Sequence, residues 1–174
     1  MKLMQTNGEN YKQIMNNLFV TDEHFIALKQ RGLEFTEYIN TCNDLPSNID
    51  RNLIKVINQL NNLPGIVTVF SCEGHVNSKN TNGRYLEIIL AVTSVGYESL
   101  VNLYNRLFDR LPFAQKLLLF IKHNHLLSPI NFEFYNAITL GFQNGYLGDT
   151  HEVEKLMFIS TLEQVLARTL TKLN

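Results

Sequence analysis

Cys72, Glu73 and His75 bring a thiol, a carboxyl group and an imidazole into one short run, Ser71-Cys72-Glu73-Gly74-His75. A thiol beside an imidazole pairs a nucleophile with a base, because the thiolate is the reactive form and a neighbouring imidazole favours it. The run follows directly on Ile66-Val67-Thr68-Val69-Phe70. Those β-branched and aromatic residues predict a strand over 66–70, which would deliver the cluster into a glycine-containing loop on a rigid support. The inert alternative is that an unpaired cysteine beside a strand end fills space as a small apolar residue. Asp50 adds a second carboxylate, able to serve as acid or base or simply to sit in the first turn of a helix where the dipole favours it.

Cys72, His75 and Asp50 are therefore the candidate catalytic residues, and Ser71, Glu73, Gly74, Lys79 and Arg84 the candidate ligand-binding ones. Lys79 and Arg84 enter because the polar stretch Asn77 to Arg84 places two cations among small residues. Such a loop can receive a phosphate or carboxylate, and it can equally be a plain hairpin tip. His123 and His125 alternate along an expected strand. With Cys72 and His75 they would make a four-ligand set suited to zinc-dependent hydrolysis, but the spacing does not specify a metal and none is assigned. No GxGxxG, Walker-type loop, GxSxG elbow or HExxH helix occurs. The most diagnostic enzyme signatures are thus missing.

The elements that must position these residues follow from periodicity. Thr21-Asp22-Glu23 predicts a helix start, and the apolar positions from Phe25 to Ile39 continue it, with Gly32 a point where it would divide in two. From Ile49, the spacing of Leu53, Ile54, Val56, Ile57 and Leu60 predicts an amphipathic helix closed by Pro64-Gly65. Tyr85 to Val92 predicts a strand that pairs with 66–70 as a long-looped hairpin. Gly96 to Leu111 predicts a second amphipathic helix, Leu117 to His125 a strand, and 149–170 a last helix opened by Asp149-Thr150-His151-Glu152. Asn131 to Gln143 predicts a long strand with Phe132, Phe134, Ile138, Leu140 and Phe142 on one face. Glu133, Tyr135, Thr139 and Gln143 fall on the other, expected to be partly wet. The order of elements gives an α+β fold: a mainly antiparallel sheet with helices packed on one face, in a single domain over 1–174 whose first 45 residues are helical.

Composition narrows the function classes. Apolar residues make up 45% and charged residues 18% of the 174 residues, ordinary for a folded domain. A formal net charge of −1 argues against a broad electrostatic footprint for nucleic acid while leaving room for a local basic patch. The apolar run Leu117 to Ile121 is far shorter than the roughly 20 residues a bilayer requires, so no membrane is expected. Two cysteines, Cys42 and Cys72, fit reduced thiols and a cytoplasmic setting. The abundance of asparagine points to an A+T-rich source.

The stretch 48–92 resembles a known family. Ile49-Asp50, Leu53-Ile54, Ile57-Asn58, Leu63-Pro64-Gly65-Ile66-Val67-Thr68 and Phe70-Ser71-Cys72-Glu73-Gly74-His75 are similar to the core of the wybutosine-synthesising TYW3-like proteins, in which an Asp-led helix precedes a Thr-rich strand and a Ser-Cys-Ser-Gly-Arg loop. The Ser71-Cys72-x-Gly74 frame carries the likeness, over about a quarter of the chain. It implies S-adenosylmethionine as cofactor and methyl transfer to a modified RNA base, with Asp50, Ser71, Cys72 and Gly74 in the functional centre. Glu73 and His75 depart from the family's small polar residue and arginine, and the second change removes a permanent cation. The Phe-Ser-Cys-Glu-Gly-His string also looks like one in uncharacterised phage proteins. Two functional classes result: a protein binding a nucleotide-like ligand or RNA end at the Cys72 loop, with methyl transfer as its chemistry, or a non-enzymatic phage-type accessory that binds a host protein or small signalling molecule.

Overall fold

In the computed structural model, residues 19–20, 22–46, 49–74, 85–127, 134–143 and 150–172 are described. Among them four strands, β1 (Ile66–Cys72), β2 (Tyr85–Val92), β3 (Leu117–Leu127) and β4 (Phe134–Gln143), form one sheet in the order β1-β2-β4-β3, antiparallel throughout. The expected hairpin between the first two strands is present, with Ile66 opposite Val92 and Cys72 opposite Glu87. Among the described residues, four α-helices pack on the sheet: α1 (Asp22–Thr41), α2 (Ile54–Asn62), α3 (Ser94–Phe108) and α4 (Thr150–Leu170). The fold is α+β, as the alternation of periods indicates.

Strand alternation divides the buried side chains into two sets. Ile66, Leu86, Ile88, Leu90, Val92, Ile138, Leu140 and Phe142 point to the side where α2, α3 and α4 are gathered, and they meet Leu60, Leu103, Phe158 and Leu162 there. Phe142 sits at the centre of this main core, stacked on Phe158 with ring centroids 5.4 Å apart and edge-on to Phe113 at 5.2 Å. Burying a side chain of this kind contributes roughly 1.5–3 kcal/mol.

The intervening residues Val67, Ile89, Ala91 and Ala137 point the other way, into a smaller cluster with Val20, Leu126, Phe25 and Leu28. Helix α1 supplies the last two and so lies over part of the second face. The expectation that this face is partly wet holds at Gln143, which is exposed, and fails at Thr139: β4 is buried on both sides from Asn136 to Phe142. His24, itself buried, packs its ring at a tilt against Tyr135, centroids 4.7 Å apart, and fixes the start of α1 on β4.

Gly32 does not divide α1, which runs unbroken from Asp22 to Thr41. A methyl group at that position would collide with Val67 Cγ2, so the glycine marks where the helix backbone approaches the sheet. Helix α1 is held there by polar groups. Lys29 Nζ donates to the carbonyls of Leu63 (2.8 Å) and Ile66 (2.6 Å) and also to that of Asn61. Asn61, 1% exposed, donates to Gly32 O and Thr36 Oγ1 and accepts from Thr68 N at 2.7 Å. Lys29 and Asn61 thereby stand in for a neighbouring strand along the first part of the outer edge of β1, where backbone groups would otherwise lack partners.

Several boundaries differ from expectation. The second helix opens as a 3-10 turn, Arg51–Leu53, before α2; the third begins two residues early, at Ser94, with Thr93 Oγ1 accepting from Gly96 N as its N-cap, and ends at Phe108 rather than Leu111. Strand β3 extends to Leu127, beyond His125. The expected positions 131–133 of the last strand and Asp149 lie outside the described residues. No described helix is long and apolar enough to cross a membrane.

Candidate functional site

Strand β1 is an edge strand, and beyond Thr68 its regularity breaks. The register against β2 slips between Thr68 and Phe70, so that Thr68 pairs with Leu90 and Phe70 with Ile89. Val69 is the extra residue of a bulge, and such bulges commonly re-aim side chains at a sheet edge. Val69 and Phe70 are 43% and 49% exposed. They turn out of the sheet beside α1, whose Phe35 is 41% exposed.

A cleft of about 450 Å³ occupies this edge. Arg31, Gly32 and Phe35 of α1 form one wall, Asp50 and Ile57 another, and Thr68 to Ser71 of β1 the floor. Its size falls within the range of small-molecule sites. Thr68 Oγ1 is buried there with no hydrogen-bond partner among the described residues, a group that ordinarily has one. Arg31 and Asp50 supply opposite charges and Phe35 and Phe70 supply flat apolar surface. Together they can receive a ligand that carries both an aromatic ring and polar or charged substituents.

Asp50 is anchored as well as placed. Its Oδ2 accepts from Glu73 N at 2.9 Å, and Asn52 Nδ2 donates to Glu73 Oε2 at 2.8 Å. These bonds tie the segment before α2 to the end of β1. The backbone then turns at buried Gly74, which has φ +76°, a conformation that glycine adopts without steric cost.

The structure therefore brings Asp50, Ser71 and Glu73 together, with Asp50 and Ser71 on the cleft itself. Ser71 and Cys72 are not in a loop, as expected, but form the last two residues of β1; Cys72 is partly buried and does not line the cleft. His75, Lys79 and Arg84 lie outside the described residues. The four-ligand metal set is overturned by strand order. Cys72 is on one edge strand and His123 on the other, with β2 and β4 between them. At about 4.8 Å per strand the sheet alone separates them by roughly 14 Å, and His123 lies further along β3 than Leu118, the residue level with Cys72, too far to share an ion held at about 2 Å. Among the described residues no group of three His, Cys, Asp or Glu side chains could hold a metal. Sequence reasoning missed Arg31 and Phe35, which reach the cleft from a helix 30 residues upstream of the motif.

No family model matches this sequence, and no curated protein does. Among solved structures, the PH1069 protein from Pyrococcus horikoshii is similar at 16% identity over 92% of this chain and 98% of that one, with a TM-score of 0.42. The C-terminal domain of transcription-repair coupling factor is similar at 13% identity over 87% and 90%, with a TM-score of 0.26. Neither likeness bears on activity.

Proposed function

We propose that the β1-edge cleft binds a nucleoside-like small molecule, with S-adenosylmethionine as the ligand of choice and methyl transfer of the TYW3-like kind as the associated chemistry. The observation that supports this reading is the cleft's lining: a cation, a carboxylate, an unpartnered buried hydroxyl and two half-exposed phenylalanines around one volume of about 450 Å³. A nucleoside bearing an amino-acid tail offers a matching set of groups. Its base stacks on Phe35 or Phe70, its carboxylate pairs with Arg31, and its hydroxyl or ammonium groups face Asp50 and Thr68. The resemblance over 48–92 adds support, because Asp50 and Ser71 are among the residues it places in a functional centre.

Titration calorimetry with S-adenosylmethionine is the test. Saturable heat is expected, weakened about tenfold by Arg31→Ala and by Phe70→Ala, the loss typical of one stacked base or one charged hydrogen bond. Asp50→Ala should weaken it further, since it also releases Glu73. Cys72→Ala should leave binding unchanged, because that side chain is off the cleft. Absence of heat at millimolar ligand would remove the methyltransferase reading.

A further inference from the structure

Two pairs of cations meet where α3 and α4 end. Arg106 and Arg110 are four residues apart at the close of α3, and Arg168 and Lys172 four apart at the close of α4; with Val165 and Thr171 they line a second cleft of about 500 Å³. Arg106 Nη1 donates to Thr169 Oγ1 at 3.1 Å, and that hydroxyl donates to Val165 O at 2.9 Å, so the two helix ends are tied together. Arg110, Arg168 and Lys172 are exposed.

A cation in the last turn of a helix is ordinarily explained by the macrodipole. That accounts for one cation at each helix end, not for four around one hollow, where like charges spaced at i, i+4 repel. The ion pairs of the described residues, Lys55–Glu163, Lys116–Glu154, Lys122–Glu87 and Lys155–Glu152, include none of the four. Nor does general basicity explain them. The chain holds 15 Lys and Arg for a net charge of −1, so this concentration is local. An anionic partner would relieve the repulsion.

We propose that this cleft binds the phosphate backbone of a single-stranded polynucleotide. Arg106 and Arg168 stand in the last turns of α3 and α4, with Arg110 and Lys172 in the turns just beyond them, which distributes charge along the hollow and suits successive phosphates better than one isolated anion. Among the described residues the lining contains no aromatic residue and no carboxylate. It can therefore follow a backbone but not stack or read bases, and recognition should be independent of sequence. The cleft shares no residue with the β1-edge site, and the inference stands whether or not that site takes a nucleoside.

Fluorescence anisotropy of a labelled oligouridylate with the full chain tests it. Saturable binding is expected at low salt, falling as salt rises with a log–log slope of about −3 if each of the four cations neutralises one phosphate. Arg168→Glu and Lys172→Glu, checked for native circular dichroism, should each weaken binding by about tenfold or more and flatten the slope. Lys55→Glu makes the same change in net charge on α2 and should alter affinity by less than about twofold. Calorimetry with S-adenosylmethionine should be unaffected by either α4 variant. The proposal is overturned by no binding at low salt, by equal weakening from Lys55→Glu, by displacement with inorganic phosphate at constant ionic strength, or by retention on anionic phospholipid vesicles in place of the oligonucleotide.

Discussion

Replacing Asn61 with leucine is expected to destabilise the fold by roughly 3–4 kcal/mol, because it leaves buried backbone groups unpaired at about 1–3 kcal/mol each. Asn61 joins three elements: it receives the N–H of Thr68 in β1 and donates to Gly32 and Thr36 of α1 from the end of α2. Leucine has nearly the same volume and would keep the apolar packing, so the loss isolates the polar role. Urea unfolding should show a lower midpoint with an unchanged slope. Asn61→Asp is the useful companion, since it keeps the acceptor for Thr68 N but loses the two donors, and it should fall between wild type and Asn61→Leu. Both changes should also weaken ligand binding, because Gly32 and Thr68 are walls of the β1-edge cleft.

Lys29→Met is expected to cost about 2 kcal/mol, the loss of a charged donor shared by three carbonyls. The cost should depend on pH in a defined direction. Burial lowers the Lys29 pKa from 10.5 to about 8, so between those values the unfolded chain binds a proton that the native state has released. Stability contributed by this residue therefore rises with pH across that window, and is lowest below pH 8 where both states are charged. The advantage of wild type over Lys29→Met should grow between pH 8 and pH 10 in urea unfolding. A constant or shrinking difference would mean that the ammonium is not desolvated where α1 meets the sheet.

The strands and the helices over 54–62, 94–108 and 150–170 are legible in the sequence because each carries its own period. Leu86, Ile88 and Leu90 alternate, and Leu100, Leu103 and Leu107 recur at helical spacing, so local pattern and tertiary burial agree. Helix α1 is different. The stripe it turns toward the sheet includes Lys29, Gly32 and Thr36, which hold by hydrogen bonds and close approach rather than by apolar burial. Periodicity of hydrophobic residues cannot find such a stripe, and a mid-helix glycine reads as a break. Missing it has two consequences. The second face of β4 looks wet because the helix that covers Ala137 and its neighbours is not recognised as a layer. The site looks like a loop at 71–75 alone, because Arg31 and Phe35 have no local signature linking them to Asp50 and Ser71.

What the local motif did locate is the region. Asp50 and Ser71 stand on one cleft, and Glu73 is bonded to Asp50 through its backbone and to Asn52 through its side chain. The bulge at Val69 was not legible, since a slip of register leaves no mark on alternation until the partner strand is known. It is nevertheless what turns Phe70 outward. The chemistry of the site thus depends on an irregularity in β1 as much as on the identities of its residues.

The most direct test of the β1-edge cleft as a nucleoside site is an amide chemical-shift titration of the ¹⁵N-labelled protein with S-adenosylmethionine. Saturable shifts are expected at Gly32 and Phe35 on α1, at Asp50, and at Val69, Phe70 and Ser71 on β1, with Arg106 and Arg168 unmoved. Shifts that cluster elsewhere, or none at millimolar ligand, would contradict it.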